Sequence, residues 1–153
     1  MEIRKIEPIH VICFETETTM KDMLRHVRVV AHQIYQDAVK QELEITGPVY
    51  WIYQGADGQP DTKFFLTIAV PVTKPDAEIQ GSEFKLRKLD SFTCISQTHF
   101  GDWNKLGETY GRLFGEVQSG NLIPSGETRE IYLNMDFENT EGNITEVQIG
   151  IVS

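Results

Sequence analysis

Apolar residues recur along this chain with two periods, and the switches between them lay out its elements. Ile3, Ile6, Ile9, Val11 and Cys13 form a tract with a near-alternating tail that ends at Phe14, which predicts a first strand. From about Met20 to Leu43 the spacing becomes three and four. Leu24, Val27, Ala31, Ile34 and Ala38 then define one face, with Lys21, Arg25, Arg28, Gln36 and Lys40 elsewhere. This predicts a long helix, with Thr19 and Asp22 as a capping box and Gly47-Pro48 as the stop. Val49 to Tyr53 and Lys63 to Val72 are β-prone runs on either side of the turn Gly55-Ala56-Asp57-Gly58, so two strands follow.

Residues 73–82, rich in Pro, Gly and acidic side chains, read as a linker, after which the same order returns. Phe84, Leu86, Leu89, Phe92, Cys94 and Ile95 predict one long strand, bulged near Leu89-Asp90. Trp103, Leu106, Tyr110, Leu113 and Val117 repeat at helical spacing, and Gly120 suits the helix end. Ile123-Pro124-Ser125-Gly126 reads as a turn, and Thr128 to Met135 and Ile144 to Val152 as strands. Pro71 aligns with Gly150 when the last strands of the two passages are superposed. The expectation is an α+β fold, a duplicated pair of βαββ units at 1–72 and 83–153 within a single domain spanning 1–153.

Composition narrows the function. With 153 residues the chain suits one domain, or two small halves sharing a core. The net charge of -9 argues against a grip on nucleic acid phosphates or on an anionic membrane surface, and suits either a cationic partner or a merely solvated acidic surface. Cys13 and Cys94 stand in apolar strands without metal-ligand spacing, which predicts buried inert thiols rather than a disulfide. Charges in Met1 to Glu7 exclude the apolar region of a signal peptide, and no apolar run nears membrane-spanning length, so a cytoplasmic location is expected. His10, His26, His32 and His99 are scattered and no nucleotide or hydrolase fingerprint occurs, so no metal and no cofactor is expected.

Gly101-Asp102-Trp103 opening the second helix, Tyr110, Pro124-Ser125-Gly126 before Ile131-Tyr132, and the closing Glu146-Val147-Gln148-Ile149-Gly150-Ile151 together resemble the gyrase-inhibitor-like (GyrI-like) effector-binding domains. These occur alone or attached to AraC-type and MerR-type bacterial regulators. Gly150 departs from the proline usual in the family's closing motif. The resemblance implies a pseudo-twofold, curved antiparallel sheet with both helices on one side. It further implies an aromatic cleft between the halves holding a buried glutamate, a position matched by the strand of Glu146.

Candidate site residues follow from strand periodicity. Glu146 and Gln148 alternate with apolar Val147, Ile149 and Ile151, so they face away from the helices if those residues face toward them. Glu130 and Tyr132 share a face, as do Trp51 and Tyr53 in the matching place of the first half, and together these aromatics offer π-faces to a flat or cationic ligand. Trp103 and Tyr110 on the second helix serve either the core or the border of the cleft. The leading expectation is a stand-alone binding module for a small aromatic or cationic molecule. With no helix-turn-helix before Ile3, it is expected not to bind DNA directly. The family resemblance implies two alternatives that stay open: hydrolysis of cyclopropane-bearing DNA-alkylating natural products, with Glu146 activating water and Tyr132 as proton donor, or contact with a protein partner such as a regulator or DNA gyrase.

Overall fold

The computed structural model describes residues 1–25, 29–75, 78–79 and 81–152, except the side chain of Leu24. Within them lie eight strands and two α-helices: β1 (Glu2–Ile6), β2 (Ile9–Thr19), α1 (Val29–Lys40), β3 (Tyr50–Gln54), β4 (Lys63–Pro71), β5 (Lys85–Leu89), β6 (Phe92–Phe100), α2 (Leu106–Ser119), β7 (Pro124–Asn134) and β8 (Ile144–Ile151). All strands join one antiparallel sheet in the order β1-β6-β8-β7-β3-β4-β2-β5. The βαββ units β2-α1-β3-β4 and β6-α2-β7-β8 meet at β3 and β7, so the sheet carries the duplication predicted from the sequence.

Two expected strands are each broken in two. The tract from Ile3 to Phe14 divides at Glu7-Pro8, and the one from Phe84 to Ile95 divides at Asp90-Ser91. Each leading piece crosses to the far side: β1 pairs with β6, and β5 pairs with β2. In a flat sheet β1 and β2 would lie about 29 Å apart, six spacings of about 4.8 Å. The two-residue connection spans at most about 11 Å. The sheet must therefore curl until its edges approach. Val11, Cys13, Cys94 and Ala69 are fully buried on the helix-free face because they line the inside of that curl.

The first helix is shorter than its periodicity suggests, and the second is shifted, beginning at Leu106 and running to Ser119. Thr19 and Asp22 do bond, Asp22 N–H to Thr19 Oγ1 at 3.2 Å, but this cap opens only a turn and a 3-10 helix at Met23–Arg25. His26, Val27 and Arg28 of the predicted helix lie outside the described residues. α1 stops at Lys40, well before Gly47: Glu42 adopts φ 58° and Leu43 N–H donates to the Ala38 carbonyl. α2 ends in the same way, with Asn121 at φ 54° and Leu122 N–H donating to Val117, so Asn121 rather than Gly120 takes the left-handed position. At its start Trp103–Lys105 is a 3-10 turn capped by the Asp102 side chain. The expected turn at 123–126 belongs largely to β7, whose register with β8 slips between Pro124 and Thr128.

Both helices cover one face. Ile68, Trp51, Glu130 and Val147 pair successively across β4, β3, β7 and β8, which places all four side chains on the same side. Ile68 packs with Ile34 and Ala38 of α1, and Val147 with Leu113 and Val117 of α2. Between the helices, the middle of the sheet is left to Trp51, Tyr53, Glu130 and Tyr132. No helix among the described residues is long and apolar enough to cross a membrane.

Candidate functional site

β3 and β7 are the central strands, and the period of two puts Trp51 and Tyr53, Glu130 and Tyr132 toward the gap between the helices. Glu130 is 6% exposed and is the focus of the cluster. Tyr53 donates its hydroxyl to Oε1 at 3.0 Å, Tyr132 donates to the same oxygen, and Tyr110 reaches down from α2 to donate to Oε2. Among the described residues, no lysine, arginine or histidine pairs with this carboxylate. A buried carboxylate so placed is satisfied by neutral donors but not neutralised.

The phenols respond to that environment. Burial foremost, and then the adjacent Glu130 charge, holds the hydroxyls of Tyr53, Tyr110 and Tyr132 protonated well above the ordinary phenol value of 10.0. The folded state thus keeps protons that the unfolded chain releases. The stabilisation is complete below pH 10 and is lost as pH rises beyond it. Alkaline titration is expected to develop the phenolate absorbance of these three tyrosines together with loss of secondary structure; reversible titration near 10 in the folded protein would contradict the cluster.

A cavity of about 500 Å³ opens onto the cluster, lined by Glu130, Tyr53, Tyr110, Phe114, Met20 and Thr128 among others. Tyr110 and Phe114 stack one turn apart on α2, 6.4 Å between centroids. Trp51 and Trp103 meet Tyr132 edge-on at 5.4 and 6.1 Å, and so buttress the ring that holds Glu130 from behind. Six of the seven candidate residues are therefore brought together.

Glu146 is the exception: it lies outside this cluster. It pairs with Thr98 and Ile131 on the helix-free face, across the sheet from Val147. There it forms an ion pair with Arg4 of β1 and accepts from Gln148 at 2.6 Å and Ser96 at 3.5 Å. The carboxylate in the aromatic cluster is Glu130. Arg4 reaches Glu146 because β1, which the sequence pattern joins to the first-half strand, pairs with β6 instead. His99 is spoken for: its Nε2 meets the Asp102 carbonyl at 2.9 Å and its Nδ1 the Thr109 hydroxyl at 2.8 Å, tying β6 to the start of α2. Cys13 and Cys94 are free and buried, their thiols pushed up to about 11 by burial. Among the described residues no cluster of His, Cys, Asp and Glu is arranged to hold a metal.

Phe114, Met20 and Thr128 of the cavity wall were missed. The duplication carried a signal for the first and last: the shift along the chain that takes Trp51 onto Glu130 also takes Tyr35 onto Phe114 and Val49 onto Thr128.

No curated protein sequence matches the chain. Solved structures do match the fold. The C-terminal domain of EcmrR aligns with a TM-score of 0.76 at 15% identity, covering 99% of this chain and 96% of that one. SAV2435 bound to tetraphenylphosphonium aligns at 0.67 and 14% identity, covering 99% and 93%. A hydrolase encoded by lin2189 from Listeria innocua aligns at 0.66 and 14%, covering 99% and 91%. The GyrI-like small molecule binding domain family matches residues 1–152. Both the sequence match and the curled eight-stranded sheet with two helices thus agree, and the chain belongs to the GyrI-like small-molecule-binding domain family.

Proposed function

We propose that this domain binds an aromatic, cationic small molecule in the cavity over Glu130. The observation that carries the reading is a buried carboxylate held by three tyrosine hydroxyls, with no cation beside it among the described residues. Such a charge is costly unless compensated, and a ligand cation supplies the compensation while its rings lie against Tyr53, Tyr110 and Phe114. The volume of about 500 Å³ is in the range of drug-sized ligands. That a structure of similar fold holds tetraphenylphosphonium makes this cation a reasonable probe.

Calorimetric titration with tetraphenylphosphonium and with uncharged triphenylphosphine oxide tests the reading. Saturable binding of the cation with little heat from the neutral compound is expected, and equal binding of both would refute a role for the charge. Glu146→Gln is expected to leave the cation's affinity within about twofold of wild type, since that carboxylate lies on the other face, paired with Arg4.

A hydrolytic reading survives only if its residues change. Glu146 and Tyr132 point to opposite faces and cannot share a substrate, whereas Glu130 and Tyr110 touch and line one cavity. Three of the four lone-pair positions of the Glu130 carboxylate already accept tyrosine hydroxyls, which leaves one at most, on Oε2, to take a proton from water. This disfavours hydrolysis relative to binding. Incubation with a cyclopropane electrophile and mass analysis would reverse the preference if a product heavier by one water formed with wild type and not with Glu130→Gln.

A further inference from the structure

The pseudo-twofold axis between β3 and β7 that generates the Glu130 cavity also generates a second one. This larger cavity, of about 680 Å³, lies between α1 and the β7–β8 side of the sheet. The shift along the chain that takes Trp51 onto Glu130 relates the two walls residue by residue. Ala31 stands where Tyr110 stands in the other, Tyr35 where Phe114 stands, Val49 where Thr128 stands, and Tyr132 takes the place of Tyr53.

The chemistry has diverged while the placement has been kept. The position equivalent to Glu130 is held by Trp51, a buried and uncharged side chain, so no carboxylate stands there. The position of Tyr110 is filled by Ala31, so the space occupied there by a phenol ring is open here. Among the described residues no acidic side chain lines the cavity: Ala31, Val49, Met135, Phe137 and the rings of Tyr35 and Tyr132 make its walls. His32, Gln33 and Gln36 give its rim neutral hydrogen-bonding groups, with the His32 ring and the Gln36 amide 3.2 Å apart. An aromatic wall without a charge selects by apolar area rather than by ionic pairing.

We infer that this cavity is a second ligand site, and that it takes uncharged aromatic molecules, independently of the cationic ligand proposed for the Glu130 cavity. Tyr132 is the wall between the two sites: its ring lines this one, and its hydroxyl is held by Glu130 in the other. Trp51 and Trp103, the only two tryptophans of the chain, both meet that ring, so intrinsic fluorescence reports occupancy.

The probe is N-phenyl-1-naphthylamine, uncharged at neutral pH, titrated into wild type, Glu130→Gln, Ala31→Tyr and Val29→Asp while probe emission and tryptophan quenching are followed. Saturable binding is expected in wild type, changed by less than about twofold in Glu130→Gln and not displaced by saturating tetraphenylphosphonium. Ala31→Tyr restores the ring found in the companion cavity and is expected to weaken the probe by about tenfold or more, because it fills the volume the probe needs. Should that variant fail to fold, Val29→Asp carries the test: Val29 is a wall residue 56% exposed to solvent, and a carboxylate there is expected to weaken the probe without unfolding the protein. Absence of binding to wild type would overturn the inference. So would displacement of the probe by tetraphenylphosphonium with a matching loss in Glu130→Gln, which would place the probe in the acidic cavity. If tetraphenylphosphonium itself does not bind, only the reading of the Glu130 cavity fails, and the two wall variants still decide this one.

Discussion

Glu130→Gln is expected to lower the affinity for tetraphenylphosphonium by about 30- to 100-fold, because a cation about 6 Å from a carboxylate at an effective dielectric near 20 gains roughly 2–3 kcal/mol. The substitution keeps the volume and one acceptor oxygen, and its amide can donate to the tyrosine hydroxyls that formerly donated to it. It also removes an uncompensated buried charge. The same variant is therefore expected to melt at the wild-type temperature or slightly above it, since replacing such a charge by a neutral isostere is neutral or stabilising. Lost binding with retained stability separates a ligand-directed carboxylate from a structural one. A melting temperature far below wild type, with triphenylphosphine oxide affected as much as the cation, would show Glu130 to be part of the scaffold.

The second large effect concerns Gly150→Ala, expected to destabilise the fold by about 3 kcal/mol or more, as overpacking against backbone does. A Cβ at this position would stand 2.7 Å from the Glu127 carbonyl oxygen and 2.7 Å from the Phe92 ring, and closer still to the Ser125 hydroxyl. Of these only the serine can turn away. The crowding has a cause in the register: β7 slips against β8 between Pro124 and Thr128, and the bulged segment folds over Gly150. For a chain of this size the melting temperature should fall by about 6–12 °C. A shift under about 2 °C would mean that the β7 bulge relaxes freely, and that the packing at Gly150 is not tight. Here the residue that departs from the family's closing motif is the one the local geometry requires.

Much of the site was legible as pairs and little of it as a place. The period of two put Glu130 with Tyr132 and Trp51 with Tyr53 on shared faces, and these relations are independent of where the strands end up. Tyr110 was visible as one residue of an apolar helical stripe. What could not be read was that its hydroxyl leaves the stripe to meet Glu130, since that depends on the position of α2 over β7. Glu146 failed for a related reason. A glutamate alternating with valine and isoleucine announces which neighbours it avoids, but not what lies on its own side. That side is the inside of a curled sheet, where Arg4 from the other end of the chain meets it.

The splitting of two expected strands has the same origin. Ile3 to Phe14 alternates well enough for one strand, and only the long-range pairing of β1 with β6 shows that Glu7-Pro8 is a crossing point. Proline at position 8 removes an N–H that a continuous strand between two neighbours would have needed, so the break was marked, but its consequence for the sheet was not.

By itself the sequence determined the order of elements, the duplication and the face each side chain shares with its neighbours, because these follow from local periodicity and turn chemistry. The tertiary structure alone decided which face holds the cleft, which of two glutamates lies in it, and that the duplicated cavities differ in charge. Those outcomes rest on contacts between residues far apart in the chain, such as Tyr53 with Glu130 and Arg4 with Glu146, whose adjacency arises only when the sheet closes on itself.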